Sequence, residues 1–531
     1  MSRQTQTLKK KTTSLPFYVA GLVVVFLIAF TYIFNAKIDL NGDNCRYYML
    51  ASSIAGGHGY ADVTNPAYPP TNVFPPGYPL LMSLLRIFTD SFIAQKIFNG
   101  LFLLGSVLLL FFFIKGRKSS LPLAFAACVL ALLVNRSLAF ATMMMSETAF
   151  LFFSVLTLWF LYKLDQGKNG KPFWKDGYFY LSIFAAAYCY HIRTQGIALI
   201  VAVLGYFLFT KRWKEMLGFG AGFVLCLFPW MLRNKWAGVG QSRYLDTIAL
   251  ANPWRPEEGS LGLGEVIHRF FDTFRMLLTK ALPDSLTPYM NVDYGSATTF
   301  GEWLAAILLV VLIIVGIWQF GKFKWFFLFY IVATFGVISL FSTPSGNRYL
   351  TALLPLMEIS LAVGVYAVFR VALRKAGWAK ELSPWLLLVL CLFSFHRLQV
   401  LHAENNAPFP AAYTNFFRIG EAVHKQLPPS AVVCSRKPEL FYMYSKGAVT
   451  GYAWTEDDKT LLKGLLDAKV QYVVLEQLGY SSTSRYLYPA IQKHPACFQV
   501  VMHLANPDTY LLKFDRGQAA KEINLPAPAA Q

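Results

Sequence analysis

Charge is scarce in this chain. Only 15% of its 531 residues are charged, where soluble proteins carry roughly a quarter. That shortfall excludes an ordinary soluble enzyme. In its place 55% of the residues are hydrophobic and 16% aromatic, and they fall in long unbroken runs that a bilayer core demands and a soluble core does not. Acids are scarcer than bases, 29 Asp and Glu against 48 Lys and Arg, for a net charge of +19. Such an excess suits nucleic acid, but the basic residues cluster in short segments between apolar runs. Positive-inside topology is a sufficient cause, so no nucleic-acid partner is predicted. Cysteine is sparse as well, seven residues with no CxxC. Cys128, Cys189, Cys226 and Cys391 lie in apolar runs and act as small hydrophobes. Cys434 and Cys497 lie in polar sequence, where a disulfide is open to them if that part is extracytoplasmic. No internal repeat is visible.

Eleven apolar runs are present: Pro16–Phe34, Phe92–Ile114, Leu121–Val134, a run beginning at Glu147, Tyr178–Tyr190, Gly196–Phe209, Met216–Trp230, Trp303–Phe320, Trp325–Phe341, Tyr349–Phe369 and Trp385–Phe395. The first follows Lys9, Lys10 and Lys11. It is too long for a signal-peptide core and lacks a small-x-small cleavage site, so it is read as a retained span. The turns after the second, fourth, sixth, eighth and tenth runs are short and basic. They hold Lys115 to Lys118; Lys163, Lys168, Lys171 and Lys175; Lys211 to Lys214; Lys322 and Lys324; and Arg370, Arg374, Lys375 and Lys380. That parity places the N-terminus and these turns in the cytoplasm. The loops 36–91, 135–147 and 234–300 and the C-terminus then lie outside. Amphipathic helical turns are expected around Val266 to Leu282.

From Ala403 polar residues rise and strand-like runs appear at 431–434, 470–475, 498–502 and 510–514, with helix-like stretches at 414–426 and 457–467. This alternation predicts a small α/β domain. It holds no Gly-rich phosphate loop, catalytic-triad motif or metal-ligand spacing. The tail, 525–531, reads as disordered. The expected fold is thus an α-helical polytopic membrane protein of about eleven transmembrane helices, residues 1–402. A small extracytoplasmic α/β domain, residues 403–531, follows it.

Asp43, Arg136, Glu147, His191, Arg193, Arg233 and Arg348 all fall at or near the outer ends of runs. Each has a plain structural reading. Asp43 is a good helix-capping type, Glu147 can favour a helix N-terminus, and a lone Arg can snorkel to headgroups. His191 can be a satisfied buried histidine, and Glu358, deep in the tenth run, pairs with an unknown partner. Four Arg at the outer face, however, run against positive-inside statistics. Arg gives permanent, multidentate phosphate recognition, so the group suits a lipid that carries a phosphate. A sugar linked through phosphate to a lipid has a good leaving group, and a carboxylate can take the proton of an acceptor hydroxyl while cations hold the developing charge. Asp43 is the candidate base and Glu147 the second acid. Arg193, Arg233 and Arg348 are candidate phosphate ligands, and Arg46, His191 and Tyr78 candidates for positioning substrate.

The order GDNCRYY, FPPGYPLL, MSETAFLF, IRTQGI, PWMLRN and NRYLTALLP resembles the GT-C superfamily of integral membrane glycosyltransferases. The likeness is to bacterial members akin to protein O-mannosyltransferases and lipid A aminoarabinose transferases, over about residues 16–400. The resemblance implies a polyprenyl-phosphate sugar donor and an inverting transfer at the outer side of the bacterial inner membrane, with Asp43 as base. The acceptor is left open among glycan, lipid and protein. Two departures stand out. Asn44 follows Asp43 where many relatives carry a second acid, so no metal is predicted, although the need for a divalent cation is left open. Phe74-Pro-Pro-Gly-Tyr78 lacks the lysine of the aminoarabinose transferases' KPPL-type loop, which weighs against lipid A as acceptor. The rival readings are a non-catalytic lipid-linked saccharide transporter or flippase and an envelope polysaccharide assembly protein. The first would want a repeat architecture and polar residues through the depth of the spans.

Overall fold

The computed structural model describes residues 14–65, 67–117, 119–167, 172–240, 244–253, 255–287, 292–341, 346–373 and 384–524. The basic residues Lys9 to Lys11, Lys118, Lys168, Lys171, Arg374, Lys375 and Lys380, the start of the turn before Arg348 and the tail 525–531 lie outside them.

Each of the eleven apolar runs forms helix. In chain order the helices are α1 Leu15–Ile33, α2 Asp43–Ala55, α3 Gly77–Arg86, α4 Phe92–Gly116, α5 Leu121–Leu132, α6 Asn135–Ala141, α7 Glu147–Gln166, α8 Gly177–Ile192, α9 Ile197–Phe209 and α10 Trp213–Trp236. They continue as α11 Leu263–Met276, α12 Phe300–Gln319, α13 Lys324–Ser339, α14 Gly346–Leu350, α15 Leu354–Ala372 and α16 Cys391–Asn406. Among the described residues eight helices are long and apolar enough to cross a membrane, or nine if α5 and α6, bent by 66°, form one span. This is a multi-pass membrane protein. Two of the expected spans are short: α8 has 16 residues and α9 has 13. At 1.5 Å per residue α8 is roughly 24 Å long, less than a 30 Å hydrocarbon core.

Local chemistry sets the helix starts. Thr299 and Glu302 form a reciprocal capping box at α12, with Thr299 Oγ1 accepting from Glu302 N at 3.2 Å and Glu302 Oε2 from Thr299 N at 2.7 Å. Ser91 and Ser120 cap α4 and α5. Glycine permits a close crossing of α12 and α15. A Cβ on Gly316 of α12 would stand 1.7 Å from Ser360 O of α15, and one on Gly364 would stand 2.0 Å from Leu312 O. Bare backbones meet there, as small residues allow in membranes.

The expected parity is visible in which ends meet. Asp165 at the end of α7 pairs with Lys322, in the turn after α12. It also lies 4.0 Å from Arg212, in the turn after α9. Arg117, after α4, stacks 5.4 Å over the Phe323 ring. The turns after the second, fourth, sixth and eighth runs therefore share one end of the bundle.

At the other end sits a five-stranded sheet in the order β2-β1-β3-β5-β4, with β1 Val433–Cys434, β2 Val449–Thr450, β3 Tyr472–Leu475, β4 Phe498–Leu504 and β5 Thr509–Phe514. β1 runs parallel to β2 and β3, and β5 runs antiparallel to β3 and β4. Helices α17 Ala411–Gln426, α18 Pro438–Ser445 and α19 Asp458–Asp467 accompany it. β2 escaped the sequence reading because two residues carry no alternation. Cys434 and Cys497 are buried free thiols, so the disulfide open to them in the sequence is not formed. The sheet unit packs on the loop between α1 and α4, where Ile38, Cys45 and Met49 share one apolar cluster with Phe416, Leu440, Phe441, Met443 and Val449.

Candidate active site

Asp43 opens α2. Gly42, at φ +89°, holds the N-cap place, and no side chain caps the helix. The capping reading of Asp43 is thereby corrected: its carboxylate turns to Arg348 instead. The loop before it is braced from below. Asn44 Nδ2 donates to Asp39 O at 2.8 Å, and Asn44 Oδ1 accepts from Gly42 N at 2.9 Å. Asp39 pairs with the fully buried Lys96 of α4 at 3.1 Å, whose ammonium also donates to Asn35 O and Lys37 O. Burial pushes the Asp39 carboxyl up, with Lys96 opposing.

Glu147 opens α7. Ser146 at the N-cap position makes no capping bond. Its hydroxyl instead lies 3.2 Å from Tyr47 Oη and accepts from Arg193 Nη1 at 3.0 Å. The loop before Glu147 is held from the first half of the second apolar run by Asn99, and Met144 N also donates to Asp39 Oδ2 at 3.4 Å. Asn99 Nδ2 donates to the carbonyls of Phe140, Met143 and Met145 at 3.2, 2.5 and 2.8 Å. Tyr78 Oη in turn donates to Asn99 Oδ1 at 3.2 Å.

Four of the sequence candidates converge. Arg348 Nη2 donates to Asp43 Oδ2 at 2.8 Å, and its Nε donates to Glu147 Oε1 at 2.9 Å. Arg193 Nη1 donates to the same Glu147 oxygen at 3.0 Å. Burial works against the charge on both guanidinium groups. Burial is the largest single influence at each, but Glu147 together with Tyr47 at Arg193, and Glu147 together with Asp43 at Arg348, outweigh it in sum, so both are pushed up. The two acids differ in access. The Asp43 side chain is 37% exposed and that of Glu147 only 2%. Glu147 Oε2 is buried and has no hydrogen-bond partner among the described residues.

The other candidates lie elsewhere. Arg233, in the last turn of α10, donates to Thr71 O at 2.7 Å and Tyr60 O at 2.6 Å, so it ties down the loop between α2 and α3. His191 Nε2 lies 3.2 Å from Cys226 O. Arg46 pairs with Glu439 of the sheet unit. Tyr78 is 1% exposed and supports Asn99. Arg136 pairs with Asp284 at 3.1 Å. With Glu358 and Arg397 these two line a cavity of about 100 Å³, which gives Glu358 its polar surroundings. Sequence reasoning missed Asp39, Lys96 and Asn99. A lysine and an asparagine inside an apolar run were the signal available. Among the described residues no group of three or more His, Cys, Asp or Glu could hold a metal ion.

No family profile matches the chain, and no curated protein matches it in sequence. Its architecture is matched in solved structures. ArnT from Cupriavidus metallidurans in the apo state superposes with a TM-score of 0.60 at 13% identity, over 94% of this chain and 98% of that one. ArnT bound to undecaprenyl phosphate gives 0.58 at 12%, over 96% and 99%. The Archaeoglobus fulgidus oligosaccharyltransferase tethered to an acceptor peptide gives 0.55 at 12%, over 96% and 75%. The fold is therefore of the GT-C type, as the motif order led us to expect.

Proposed function

We propose that the chain is an integral membrane glycosyltransferase. It moves a sugar from a polyprenyl-phosphate donor to an acceptor on the outer side of the bacterial inner membrane, with inversion. The carrying observation is the single guanidinium of Arg348 forked between an open carboxylate, Asp43, and a closed one, Glu147. In this reading Asp43 is the base, because a substrate can reach it. Glu147 holds Arg348 and Arg193 at a common point, and the donor phosphate takes up the charge of those two cations. The acceptor oxygen attacks the sugar C1 as Asp43 receives its proton. The bond from C1 to the phosphate oxygen breaks on the opposite face, and polyprenyl phosphate leaves with the electron pair, its charge stabilised by Arg348 and Arg193. The basic turns gathered at the far end of the bundle support a cytoplasmic assignment for that end and an outward-facing site. The binding of undecaprenyl phosphate by ArnT, a protein of like fold, supports the donor class.

The test uses the purified full chain with polyprenyl-phosphate sugars and candidate acceptors, with Asp43→Asn in parallel. We expect transfer by the wild type and a loss of about 100-fold or more in the variant, the usual contribution of a general base, with thermal unfolding unchanged. Movement of a lipid-linked saccharide across the bilayer without transfer, in both proteins, would instead establish a transporter.

A further inference from the structure

The sheet unit carries a second constellation. From β1 the chain crosses to β2 on one side, then returns past β1 to β3 on its other side, so the strand order reverses between β1 and β3. In open α/β sheets ligands bind in the crevice outside the carboxyl ends of the strands at such a reversal. Three loops leave the strands there: Ser435 to Lys437 after β1, Gly451 to Trp454 after β2, and Glu476 to Tyr480 after β3.

Their chemistry is selective. The Arg436 guanidinium lies 4.6 Å from the ring centre of Trp454 and 4.7 Å from that of Tyr480. Lys437 Nζ lies 4.8 Å from the same tyrosine ring. The nearby acid, Glu476, is already engaged, accepting from Leu478 N and Thr483 Oγ1. Arg436 donates from Nε to Ser482 Oγ and Lys437 to backbone carbonyls, so neither forms an ion pair among the described residues. At the end of β1 the Ser435 hydroxyl is buried and has no hydrogen-bond partner among the described residues.

The place matters as much as the composition. Lys437 Nζ donates to Leu40 O at 2.8 Å and Asn41 O at 3.4 Å, and it lies 3.5 Å from where a Cβ on Gly42 would stand. The crevice therefore abuts the residue immediately before Asp43. Two adjacent cations that form no ion pair among the described residues, set against aromatic faces, fit an anion carried on a ring-bearing molecule.

We infer that this crevice binds an anionic group, phosphate or carboxylate, of a saccharide-bearing acceptor, with Arg436 and Lys437 as its ligands and Trp454 and Tyr480 as its walls. The word acceptor rests on the glycosyltransferase reading above; the anion site does not.

The test uses the full chain in nanodiscs of neutral lipid and measures the Kd of tri-galacturonic acid, glycerol 3-phosphate and neutral maltotriose by calorimetry. At least one anionic probe should bind more tightly than maltotriose. Arg436→Gln should weaken it by about tenfold or more, the scale of one charged hydrogen bond, while Arg436→Lys retains most of it. Asp43→Asn should leave probe binding intact. Adding phosphatidylglycerol to the nanodisc then tells the sources apart: competition means a lipid headgroup, and none means a soluble glycan. If neither anion binds, or Arg436→Gln binds as tightly as wild type, the crevice is not an anion site, even where Asp43-dependent transfer persists. Probe binding without any transfer would overturn the glycosyltransferase reading alone.

Discussion

Glu147→Gln should tighten the binding of a prenyl phosphate. In the resting site two acids neutralise two guanidinium groups, and Glu147 Oε1 takes a bond from each, at 2.9 and 3.0 Å. A phosphate that binds Arg193 and Arg348 must compete with that carboxylate. Glutamine keeps the shape and an acceptor oxygen but removes the charge. A hydrogen bond to a charged group contributes roughly 1.5–3 kcal/mol. Releasing one such competitor should strengthen phosphate binding by about 10- to 150-fold. The opposing arm, Arg348 to Asp43, deserves less weight, because that acid is 37% exposed and its pairing is screened. Stability should move the other way. Arg193, 13% exposed, loses its counter-charge, and breaking a buried pair costs about 3–5 kcal/mol as an upper bound. The assay is calorimetric titration of a water-soluble short-chain prenyl phosphate into nanodisc-held protein, with Arg348→Ala in parallel and thermal unfolding as the control. Arg348→Ala should bind more weakly. If Glu147→Gln binds equally or less tightly while still folded, these guanidinium groups do not hold the donor phosphate.

Three further outcomes follow from the packing. Gly316→Ala should separate α12 from α15 and cost about 3 kcal/mol or more, since its Cβ would overlap Ser360 O; an unchanged unfolding midpoint would contradict the backbone contact. Arg233→Ala should raise hydrogen exchange across residues 56–76, whose carbonyls at Tyr60 and Thr71 it binds, and should change prenyl phosphate affinity less than about twofold, within the range of surface substitutions. His494 sits between Asp458, at 2.6 Å, and Glu522. Burial alone would lower its pKa, but these acids raise it above the ordinary 6.5, while hydrogen bonds from Lys493 and His494 hold Asp458 down at about 2. The histidine's contribution is thus fully present below pH 6.5 and fades as pH rises through the raised value. The Asp458 contribution is present above its ordinary 3.8 and fades toward 2. Protection of β4 and the 516–522 helix against hydrogen exchange, corrected for intrinsic rates, should therefore be greatest between about pH 4 and 6.5; a flat profile in wild type, or one unchanged by His494→Gln, would refute this.

How much of this could be read from residues alone follows from the range over which each signal acts. Apolar runs announce helices because the bilayer constrains every residue in them, and charge parity between runs announces which ends lie together. Asp165, Arg212 and Lys322 do meet at one end, and Asp43, Glu147, Arg193 and Arg348 at the other. Parity assigns a residue to a face but not to a partner. Arg136 and Arg233 satisfy the same rule as Arg348, yet one pairs with Asp284 and the other with loop carbonyls. What separates them is where the chain between spans returns. Arg348 sits in the short helix α14, between two spans, while Arg233 ends a long helix against a loop more than 150 positions earlier in sequence. Asn99 shows the same limit from inside a run: its partners are three carbonyls, which every residue type provides, so no pattern could mark them. The site rests on these unmarked contacts. Asn99 and Lys96 each spend a polar group in an apolar helix to hold a loop, and the two loops so held carry the two acids that Arg348 joins.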